Sequence, residues 1–340
     1  MHRVAILGAS GYAGAELLRL LAAHPQLDVV YAAGDSTVGE TVADVYPNLA
    51  AAYPELVYEP VDAGRAAECE LVFLALPHGA SSAIVPKIVD RVDGIVDLGA
   101  DFRLRDPALY ERWYGETHPA PELLSRFAHG IPELYRDEIA KTGLAAAAGC
   151  YPTAAALALA PFVRAEVIEP VGVIVDAASG VSGAGKAPKP STHFNAVDED
   201  FTAYGLLNHR HTPEMEQAIN AQVLFTPHLA PMNRGILATC YARPHAPTEV
   251  STDSLLAVLH EAYADEPFVI VSERLPSTKA TLGSNAAHLT ARFDDRTGWV
   301  VVLCALDNLG KGAAGQMVQC ANIIVGAPET TGLTTAGLYP

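Results

Sequence analysis

Short apolar runs alternate with amphipathic stretches through the first half of the chain. The runs VAILG, LDVVYAAG, ELVFLALP and GIVDLG are continuously hydrophobic, whereas residues 13–24 and 81–89 repeat apolar positions with a helical period. Continuous runs of this length are typical of parallel strands covered on both faces, and right-handed crossovers between them produce a doubly wound sheet. The pattern therefore predicts a Rossmann-type α/β domain over residues 1–149.

From residue 171 onward the strand candidates are longer and more widely spaced. They are VGVIVDAAS, AQVLFTPHLAPM, GILATCYARP, FVIVS, AAHLTARF and WVVVLCAL. A helical period predicts a covering helix at residues 252–264, and a small-residue helix is predicted at residues 312–325. We therefore expect an α+β catalytic or substrate domain with a mainly antiparallel sheet over residues 150–309. The C-terminal helix, within residues 310–340, should return to the first domain.

The composition is that of a globular protein. The chain has 340 residues, of which 50% are hydrophobic and 18% charged, and this suits two packed domains. The formal net charge of −17 would repel nucleic acid and anionic lipid surfaces, and no run of Lys or Arg reverses it locally. No apolar stretch is long enough to span a bilayer, and no export signal is visible. We expect a cytoplasmic protein without nucleic-acid or membrane partners.

The cysteines are odd in number and scattered, and no C-x-x-C pair occurs. They are Cys69, Cys150, Cys240, Cys304 and Cys320. This usage predicts neither a disulfide framework nor a zinc site, so we expect reduced thiols and no metal.

The segment GASGYAG follows the first strand and opens the first helix, which is the context in which a glycine-rich turn binds phosphate. Gly8, Gly11 and Gly14 let the backbone approach a pyrophosphate, and the helix N-terminus supplies N–H groups. The spacing departs from the standard dinucleotide fingerprint, and the alternative is a tight strand-to-helix turn without ligand. We favour cofactor binding and assign to it these glycines together with Ser10 and Tyr12.

The end of the second strand predicts the choice of cofactor. An Asp or Glu there would hold the ribose 2′-hydroxyl of NAD and repel the 2′-phosphate of NADP. The segment is AAGDST, in which Asp35 comes late while Ser36 and Thr37 offer hydroxyls. We therefore favour NADPH/NADP over NAD, although no arginine lies nearby. Pro77, after the third strand, is also assigned to the cofactor site.

Cys150 lies in AGCYPTAA, between an apolar strand at residues 144–148 and a helix with Pro152 in its first turn. N–H groups at a helix start stabilise a thiolate, and the same groups can receive the oxyanion that forms when the thiolate attacks a carbonyl. The alternative, a small buried hydrophobic side chain, is our interpretation of the other four cysteines. Its position makes Cys150 the predicted nucleophile.

The segment NHRHTPE contains the densest histidine cluster, His209 and His211. A thiolate nucleophile usually needs a proton shuttle, and histidine is the commonest one. Residues two apart share a face on a strand but not on a helix, so the spacing leaves both histidines open, while Pro213 places His211 near a helix start. A metal pair is the rival interpretation, but it lacks a third ligand nearby.

Several residues are candidates for holding anionic groups of a substrate. They are Arg103 and Arg105 in GADFRLRD, Ser182 and Lys186 in SGVSGAGKAP, and Arg234 in PMNRG. Arginine binds a carboxylate or phosphate through paired hydrogen bonds. Each residue alone is equally compatible with an ordinary surface position, and the sequence leaves open which cation would hold which anion.

Seven segments occur in a fixed order from Gly8 to Gln316: GASGYAG, DLGADFRL, AGCYPTAA, SGVSGAGK, HRHTPE, PHLAPMNRG and DNLGKGAAGQ. Together they closely resemble the N-acetyl-gamma-glutamyl-phosphate reductases, the arginine-biosynthesis branch of the semialdehyde dehydrogenase superfamily. The resemblance implies NADPH-dependent reduction of N-acetyl-gamma-glutamyl phosphate, an acyl phosphate, to N-acetylglutamate semialdehyde and phosphate through a Cys150 thioester. It also implies a histidine of HRHTPE as acid–base, Gly183 and Asn308 at the cofactor, and a homodimer or homotetramer.

Other functions stay open at this point. A sister semialdehyde dehydrogenase of the aspartate or aminoadipate type would share the chemistry, since one methylene changes binding by only about 1–3 kcal/mol. A non-catalytic nucleotide-sensing module would leave Cys150 and the neighbouring histidine cluster unexplained. A cysteine hydrolase would have no use for GASGYAG and ranks last.

Overall fold

The computed structural model describes residues 1–340, the side chain of Pro247 excepted. The chain divides into two compact units, residues 1–148 with 313–333 and residues 149–312 with 334–340. Gly149 and residues 310–312 and 334–340 thus group with the second unit, whereas the sequence predicted them in the first domain. The tail does so because Asn285 N–H donates to Thr334 O and Leu338 N–H donates to Leu282 O. Within the described residues, no helix has the length and apolar character needed to cross a membrane.

The first unit begins with alternating strands and helices. They are β1 (His2–Leu7), α1 (Tyr12–Leu21), β2 (Leu27–Ala33), α2 (Val42–Val45), α3 (Ala63–Ala66), β3 (Leu71–Leu74), α4 (Ala80–Ile88), β4 (Gly94–Asp97), α5 (Ala108–Tyr114), β5 (Ala128–Gly130), α6 (Pro132–Thr142) and β6 (Leu144–Ala147). Over the described residues, these strands form one sheet in the order β2-β1-β3-β4-β6-β5, and each pairing is parallel.

The parallel sheet is buried on both faces. Along β1, Val4 and Ile6 belong to the apolar cluster that includes α1, whereas Ala5 and Leu7 belong to the cluster that includes α4. Because successive side chains of a strand point to opposite faces, this division means that helices cover both sides. The predicted doubly wound sheet is confirmed.

The second unit contains the longer strands. Its elements are α7 (Cys150–Arg164), β7 (Val173–Gly180), α8 (Phe194–Val197), β8 (Thr202–Ala203), α9 (Thr212–Ile219), β9 (Val223–Ala230), β10 (Ile236–Ala242), α10 (Thr252–Ala262), β11 (Val269–Val271), α11 (Thr278–Thr281), β12 (Ala287–Asp294) and β13 (Trp299–Leu306). The strand order is β11-β12-β13-β10-β7-β9-β8. The pairs β7–β9 and β11–β12 are parallel and the remaining pairs are antiparallel, so the predicted, mainly antiparallel sheet is confirmed.

The C-terminal helix α12 (Gly315–Ile324) belongs to the first unit, where it packs against α1, α6 and β4. A π-helical segment, Gly310–Ala314, precedes it. Small residues of α12 permit close approach, and Ala321 is fully buried in the same apolar cluster as Val4 and Ile6. The predicted return of this helix is confirmed.

Candidate active site

Cys150 is the first residue of α7, and Gly149 is the N-cap. The first N–H groups of an α-helix have no partner inside the helix. In α7, the Thr153 N–H makes the first helical hydrogen bond, to Gly149 O at 2.9 Å, and Pro152 has no N–H. An oxyanion bound at this end would therefore meet the N–H groups of Cys150 and Tyr151.

Glu214 connects this helix start to the predicted histidines. It is 1% exposed, and its Oε1 accepts the N–H of Gly149 at 2.9 Å. Glu214 lies in the first turn of α9, whose N-cap is His211. One carboxylate therefore ties the cap of the cysteine helix to the start of the histidine helix. Sequence analysis missed Glu214, although a Glu three residues after a helix N-cap is a known capping signal.

Gly312 lies directly against Cys150. A Cβ at this position would lie 2.8 Å from the Cβ of Cys150, and the Gly312 N–H donates to Asp307 O at 2.9 Å. Any larger residue would push against the thiol-bearing side chain. The motif DNLGKG thus contributes backbone surface to the site.

The two histidines occupy different environments. Their ring centroids are 4.8 Å apart, and both rings contact Tyr151. The Nδ1 of His209 accepts the backbone N–H of His211 at 3.1 Å, so neutral His209 carries its proton on Nε2. Burial, and secondarily the charge of Arg210, lowers the pKa of His209 to about 4. His209 is therefore neutral near pH 7 and a weak base.

Two tyrosines line the same site. The Tyr204 O–H donates to Tyr151 Oη at 3.2 Å, and the Tyr151 O–H donates to His228 O at 2.9 Å. Burial raises the pKa of Tyr204 to about 12, and the neighbouring Cys150 also raises it. Both phenols accordingly stay protonated beside the thiol. Sequence analysis did not single out Tyr204, because a loop tyrosine carries no positional signal.

A cavity of about 570 Å³ opens beside these groups. Its lining includes Cys150, His209, His211 and two cationic side chains, Lys189 and Arg210. The sequence prediction did not choose either cation for anion binding. Arg210 could have been found from its place between the histidines, whereas Lys189 has only its charge as a signal.

Ser182 and Asn308, predicted to contact substrate and cofactor, bind each other. Asn308 Nδ2 donates to Ser182 Oγ at 3.0 Å, and Ser182 Oγ donates to Asn233 O at 2.6 Å. Asn308 Oδ1 accepts the Gly235 N–H at 2.7 Å. These bonds hold together three loops at one end of the second sheet.

Arg234 lies beside this hydrogen-bond network. Its Nε is 3.0 Å from the carboxylate of Asp307, which is fully buried. Of the predicted residues in these loops, Gly183 lines the cavity, whereas Ser182, Lys186 and Arg234 are not among its lining residues. The structure therefore brings Gly183 to Cys150 and the histidines but leaves the predicted cations of this unit outside the lining.

The other predicted cations, Arg103 and Arg105, lie in the first unit. Arg103 is buried, and its Nη2 donates to Leu98 O at 2.6 Å. Arg105 is exposed and pairs with Glu138 at 2.9 Å. The two residues are close in sequence but differ in surroundings.

The three glycines of the glycine-rich turn differ in how closely the surrounding chain packs against them, and only Gly11 has room beside it for a cofactor. A Cβ at Gly8, where φ is +86°, would lie 2.3 Å from Ala75 O, and a Cβ at Gly14 would lie 2.3 Å from Gly8 O. Packing alone explains these two glycines. A Cβ at Gly11, the N-cap of α1, would meet only Gly8 O at 3.5 Å. Packing within the chain thus does not explain Gly11, and the space at this helix start would admit a phosphate group; Tyr12 begins the helix beside it.

A buried hydroxyl next to the turn lacks a protein partner. Thr37 Oγ1 is buried and has no hydrogen-bond partner among the described residues. A Cβ at Gly34 would lie 2.5 Å from Thr37 Oγ1 and 2.9 Å from Ser10 Oγ, so these hydroxyls converge. Because buried polar groups are normally paired, an oxygen of a bound cofactor fits here. Ser36 and Pro77 are exposed in their loops.

The five cysteines are free thiols, and Cys150 differs from the others in exposure. Cys150 is partly exposed, whereas the remaining cysteines are buried. Burial raises the pKa of the Cys304 thiol to about 12. Over the described part of the chain, no group of three His, Cys, Asp or Glu side chains is placed to hold a metal ion.

Comparison with known proteins defines the class. Residues 3–142 match the model of the semialdehyde dehydrogenase NAD binding domain, and residues 150–308 match that of the semialdehyde dehydrogenase dimerisation domain. Solved structures agree in fold. Aspartate semialdehyde dehydrogenase II from Vibrio cholerae aligns over 96% of this chain and 98% of its own with a TM-score of 0.72 and 17% identity. The enzyme from Candida albicans, solved with NADP, aligns over the same shares with a TM-score of 0.71 and 14% identity.

Closer relatives narrow the class. N-acetyl-gamma-glutamyl-phosphate reductases from Symbiobacterium thermophilum and Acidothermus cellulolyticus are each 48% identical to this chain, and the alignments cover 99% of both partners. The chain therefore belongs to the N-acetyl-gamma-glutamyl-phosphate reductase family of the semialdehyde dehydrogenases. It is an oxidoreductase with a nicotinamide cofactor, and the predicted family is confirmed.

Proposed function

We propose that the protein reduces N-acetyl-gamma-glutamyl phosphate to N-acetyl-L-glutamate 5-semialdehyde with NADPH and releases inorganic phosphate, in arginine biosynthesis. The observation that carries the proposal is the position of Cys150 at the start of α7, in a cavity lined by His211, Lys189 and Arg210. A thiolate, a proton shuttle and cations are the groups that reduction of an anionic acyl phosphate needs. The substrate itself is taken from the family.

In this proposal His211 removes the proton of Cys150, and the thiolate attacks the carbonyl carbon of the acyl phosphate. N–H groups at the start of α7 hold the oxyanion, and its collapse expels phosphate and leaves a thioester. A bound nicotinamide supplies the hydride that the thioester carbon requires. Collapse of the thiohemiacetal oxyanion then releases the aldehyde and the Cys150 thiolate, to which His211 returns the proton.

We assign the acid–base role to His211. A general base works best when its pKa is near the working pH, whereas the pKa of His209 is lowered to about 4 by burial. The Nδ1 of His209 is also engaged by the backbone N–H of His211. We therefore give His209 the role of positioning His211.

We assign anion binding in the cavity to Lys189 and Arg210, because both line it with Cys150. The substrate carries a phosphate and a carboxylate, so two cations match its charge. Arg103 and Arg105, which belong to the other unit, stay predicted substrate contacts. We no longer favour Arg234, whose guanidinium pairs with Asp307.

The cofactor is assigned to the first unit, at Gly8, Gly11, Gly14 and the adjacent hydroxyls of Ser10 and Thr37. We propose NADPH over NADH because Thr37 offers an unpartnered buried hydroxyl after β2, and no acidic side chain ends that strand. Asp35, the nearest acidic residue, is exposed. The ratio of kcat/KM values for NADPH and NADH tests this preference.

We propose that the protein is a homodimer or homotetramer that uses the outer face of the second sheet, the face opposite α7. A cross-strand row on this face carries Leu224, Ile174, Tyr241 and Val301, all of them half-buried or exposed. Apolar rows of this kind mark association surfaces. The family name of this region, a dimerisation domain, agrees with the proposal.

We also propose a cytoplasmic location. Five free thiols are typical of a reducing compartment. Labelling of the thiols in intact cells and in isolated protein would test whether they remain reduced.

The experiment that tests the proposed reaction follows NADPH oxidation with N-acetyl-gamma-glutamyl phosphate for the wild type, Cys150→Ala and the matched control Cys240→Ala. We expect Cys150→Ala to lose turnover by at least about 10³-fold while NADPH still binds, and Cys240→Ala to retain it, because that buried thiol lies in β10. Turnover in Cys150→Ala would refute the thioester. A wild type that reduces only aspartyl or aminoadipyl phosphate would refute the substrate.

A further inference from the structure

The chain between the β7 loop and the histidines forms an arm, residues 186–208, with two different sides. Its inner side lines the cavity through Lys189, Thr192, Tyr204 and Asn208, among others. Its outer side exposes large apolar side chains: Phe194, Phe201, Leu206 and Leu207 are 76%, 59%, 57% and 69% exposed. Such a concentration of exposed apolar side chains in one short segment marks an association surface.

The backbone of the arm is strained at the same place. Leu207 has a φ of +64°, and Glu199 has a φ of +63°. A left-handed conformation costs a non-glycine residue roughly 1–2 kcal/mol and persists where surrounding contacts demand it. The side chain of Leu207 is mostly exposed, so it is accessible to a second copy.

The arm continues the outer face of the second sheet. It contains β8, which is the edge strand beside β9. The ring of Phe201 stacks on His228 of β9 with centroids 5.1 Å apart. His228 follows Leu224 by four residues in β9 and so lies on the same face of the sheet. A second copy seated on the sheet face would therefore reach the arm.

The charges along the arm change from basic to acidic, so two arms that run in opposite directions would have complementary charges. Away from the cavity, its first part carries Lys186 and its second part carries Asp198 and Glu199, whereas Lys189 and Asp200 line the cavity. In a twofold contact residue i of one copy meets residue j of the other, and j meets i. Two arms that cross antiparallel would bring each basic part to an acidic part, which the overall net charge of −17 would otherwise disfavour.

We propose that the arm pairs with the arm of a second copy of this chain, and that this pairing fixes the cavity wall formed by its inner side. The inference rests on the proposed self-association and locates part of the interface on a segment that also lines the active site. The functional consequence is that the separated chain has a loosened substrate wall and reduced activity.

The first test replaces apolar residues of the outer side by charge. Phe194→Glu and Leu206→Glu, neither of which lines the cavity, are compared with Leu275→Glu, an equally exposed leucine of the same unit outside the arm. We expect each arm variant to raise the dissociation constant from sedimentation velocity by at least about tenfold, as for loss of an interface anchor. Leu275→Glu should leave it unchanged.

A charge exchange tests the crossed arrangement. Lys186→Glu and Asp198→Lys should each weaken association, and the double variant should recover most of the wild-type affinity because its charges are again complementary. Weakening that is additive in the double variant would overturn the antiparallel pairing of arms.

Activity per chain, measured on dilution, tests the link to the cavity. We expect it to fall in step with dissociation, at a higher protein concentration for Phe194→Glu than for the wild type. If activity per chain stays constant while the chains dissociate, the contact does not fix the cavity wall. If the wild type associates but the arm variants dissociate no more readily than it does, the arm contact is refuted while the oligomer stands. If the wild type is monomeric at every concentration, the proposed oligomer is refuted as well. The dissociation constants do not depend on Cys150, so a failure of the proposed reaction would leave the test of the arm contact intact.

Discussion

Helices α4 and α7 begin in the same way and are used differently. Each starts at a glycine N-cap whose N–H donates to a buried carboxylate: Gly79 to Asp101 at 2.8 Å and Gly149 to Glu214 at 2.9 Å. Each therefore offers the partial positive charge of a helix N-terminus within its own unit. The residues after the N-cap decide whether that charge serves stability or chemistry.

At α4 the protein's own groups occupy the helix start. The second oxygen of Asp101 accepts the Ser82 N–H at 2.8 Å, and Ser81 Oγ donates to Asp97 at 2.8 Å. At α7 the first residue is Cys150, which is partly exposed and borders a cavity. A helix start thus becomes a site for chemistry where a reactive side chain and open space take the place of a second carboxylate.

The largest effect that would sharpen this comparison concerns His211, the N-cap of α9, which lines the same cavity as Cys150. His211→Gln should lower kcat by about 10²–10⁴-fold, because proton transfer to and from Cys150 is lost. His209→Gln should lower it by about tenfold only, since neutral His209 positions its neighbour. Steady-state kinetics with the pH profile of Cys150 alkylation by iodoacetamide measures both effects. The reverse ranking would transfer the acid–base role to His209.

The two carboxylates should differ in the property that each supports. Asp101→Ala leaves two N–H groups without an acceptor and should cost about 2–4 kcal/mol of unfolding free energy, whereas Glu214→Ala removes one such acceptor and should cost about 1–2 kcal/mol. Urea denaturation measures both, with the exposed Asp295→Ala as the control. Only Glu214→Ala should slow alkylation of Cys150. Equal slowing in Asp101→Ala would mean that the two helix starts are not functionally distinct.

The fold could be predicted because its signals are local and repeated. Continuous apolar runs such as residues 71–74 can be satisfied only between two helical layers, which predicts the parallel sheet. The position of Cys150 at a helix start could be predicted for a related reason, since a strand followed closely by Pro152 in a helix leaves little freedom at the junction. In both cases neighbouring residues fix the geometry.

The cavity cations could not be predicted in the same way. Lys186 and Lys189 lie three residues apart in an exposed loop, and only Lys189 lines the cavity. Arg234 looked suitable for an anion, but its partner, Asp307, is distant in sequence. Long-range partners and irregular loops carry no periodic signal, so sequence identified the charge type without the residue.

A third test concerns Asp97, whose side chain accepts a hydrogen bond from Ser81 at the start of α4. Burial raises the pKa of Asp97 to about 7, far above its ordinary value of 3.8. Between these values the unfolded chain has lost the proton that the folded chain retains, so the free energy of unfolding contributed by Asp97 falls as pH rises. Asp97→Asn keeps an oxygen to accept from Ser81 and Gly99 and removes this dependence.

Urea denaturation at about pH 5 and about pH 8 measures the effect of Asp97→Asn. We expect the variant to gain about 1–3 kcal/mol relative to wild type on going to the higher pH. A relative loss at the higher pH would show that ionised Asp97 stabilises this helix start.

The smallest expected effect tests whether the open space at α7 is matched to an anion. Lys189→Met keeps most of the side-chain length and removes the charge, so it should raise KM for the acyl phosphate by about tenfold with little change in kcat, as for loss of an exposed ionic contact in binding. Lys186→Met, three residues away and outside the cavity lining, is the matched control. A higher KM in the control alone would return the substrate contact to Lys186. In that event the cavity wall beside Cys150 would recognise its substrate through Arg210 and neutral groups, and the arm would contribute shape to the site instead of charge.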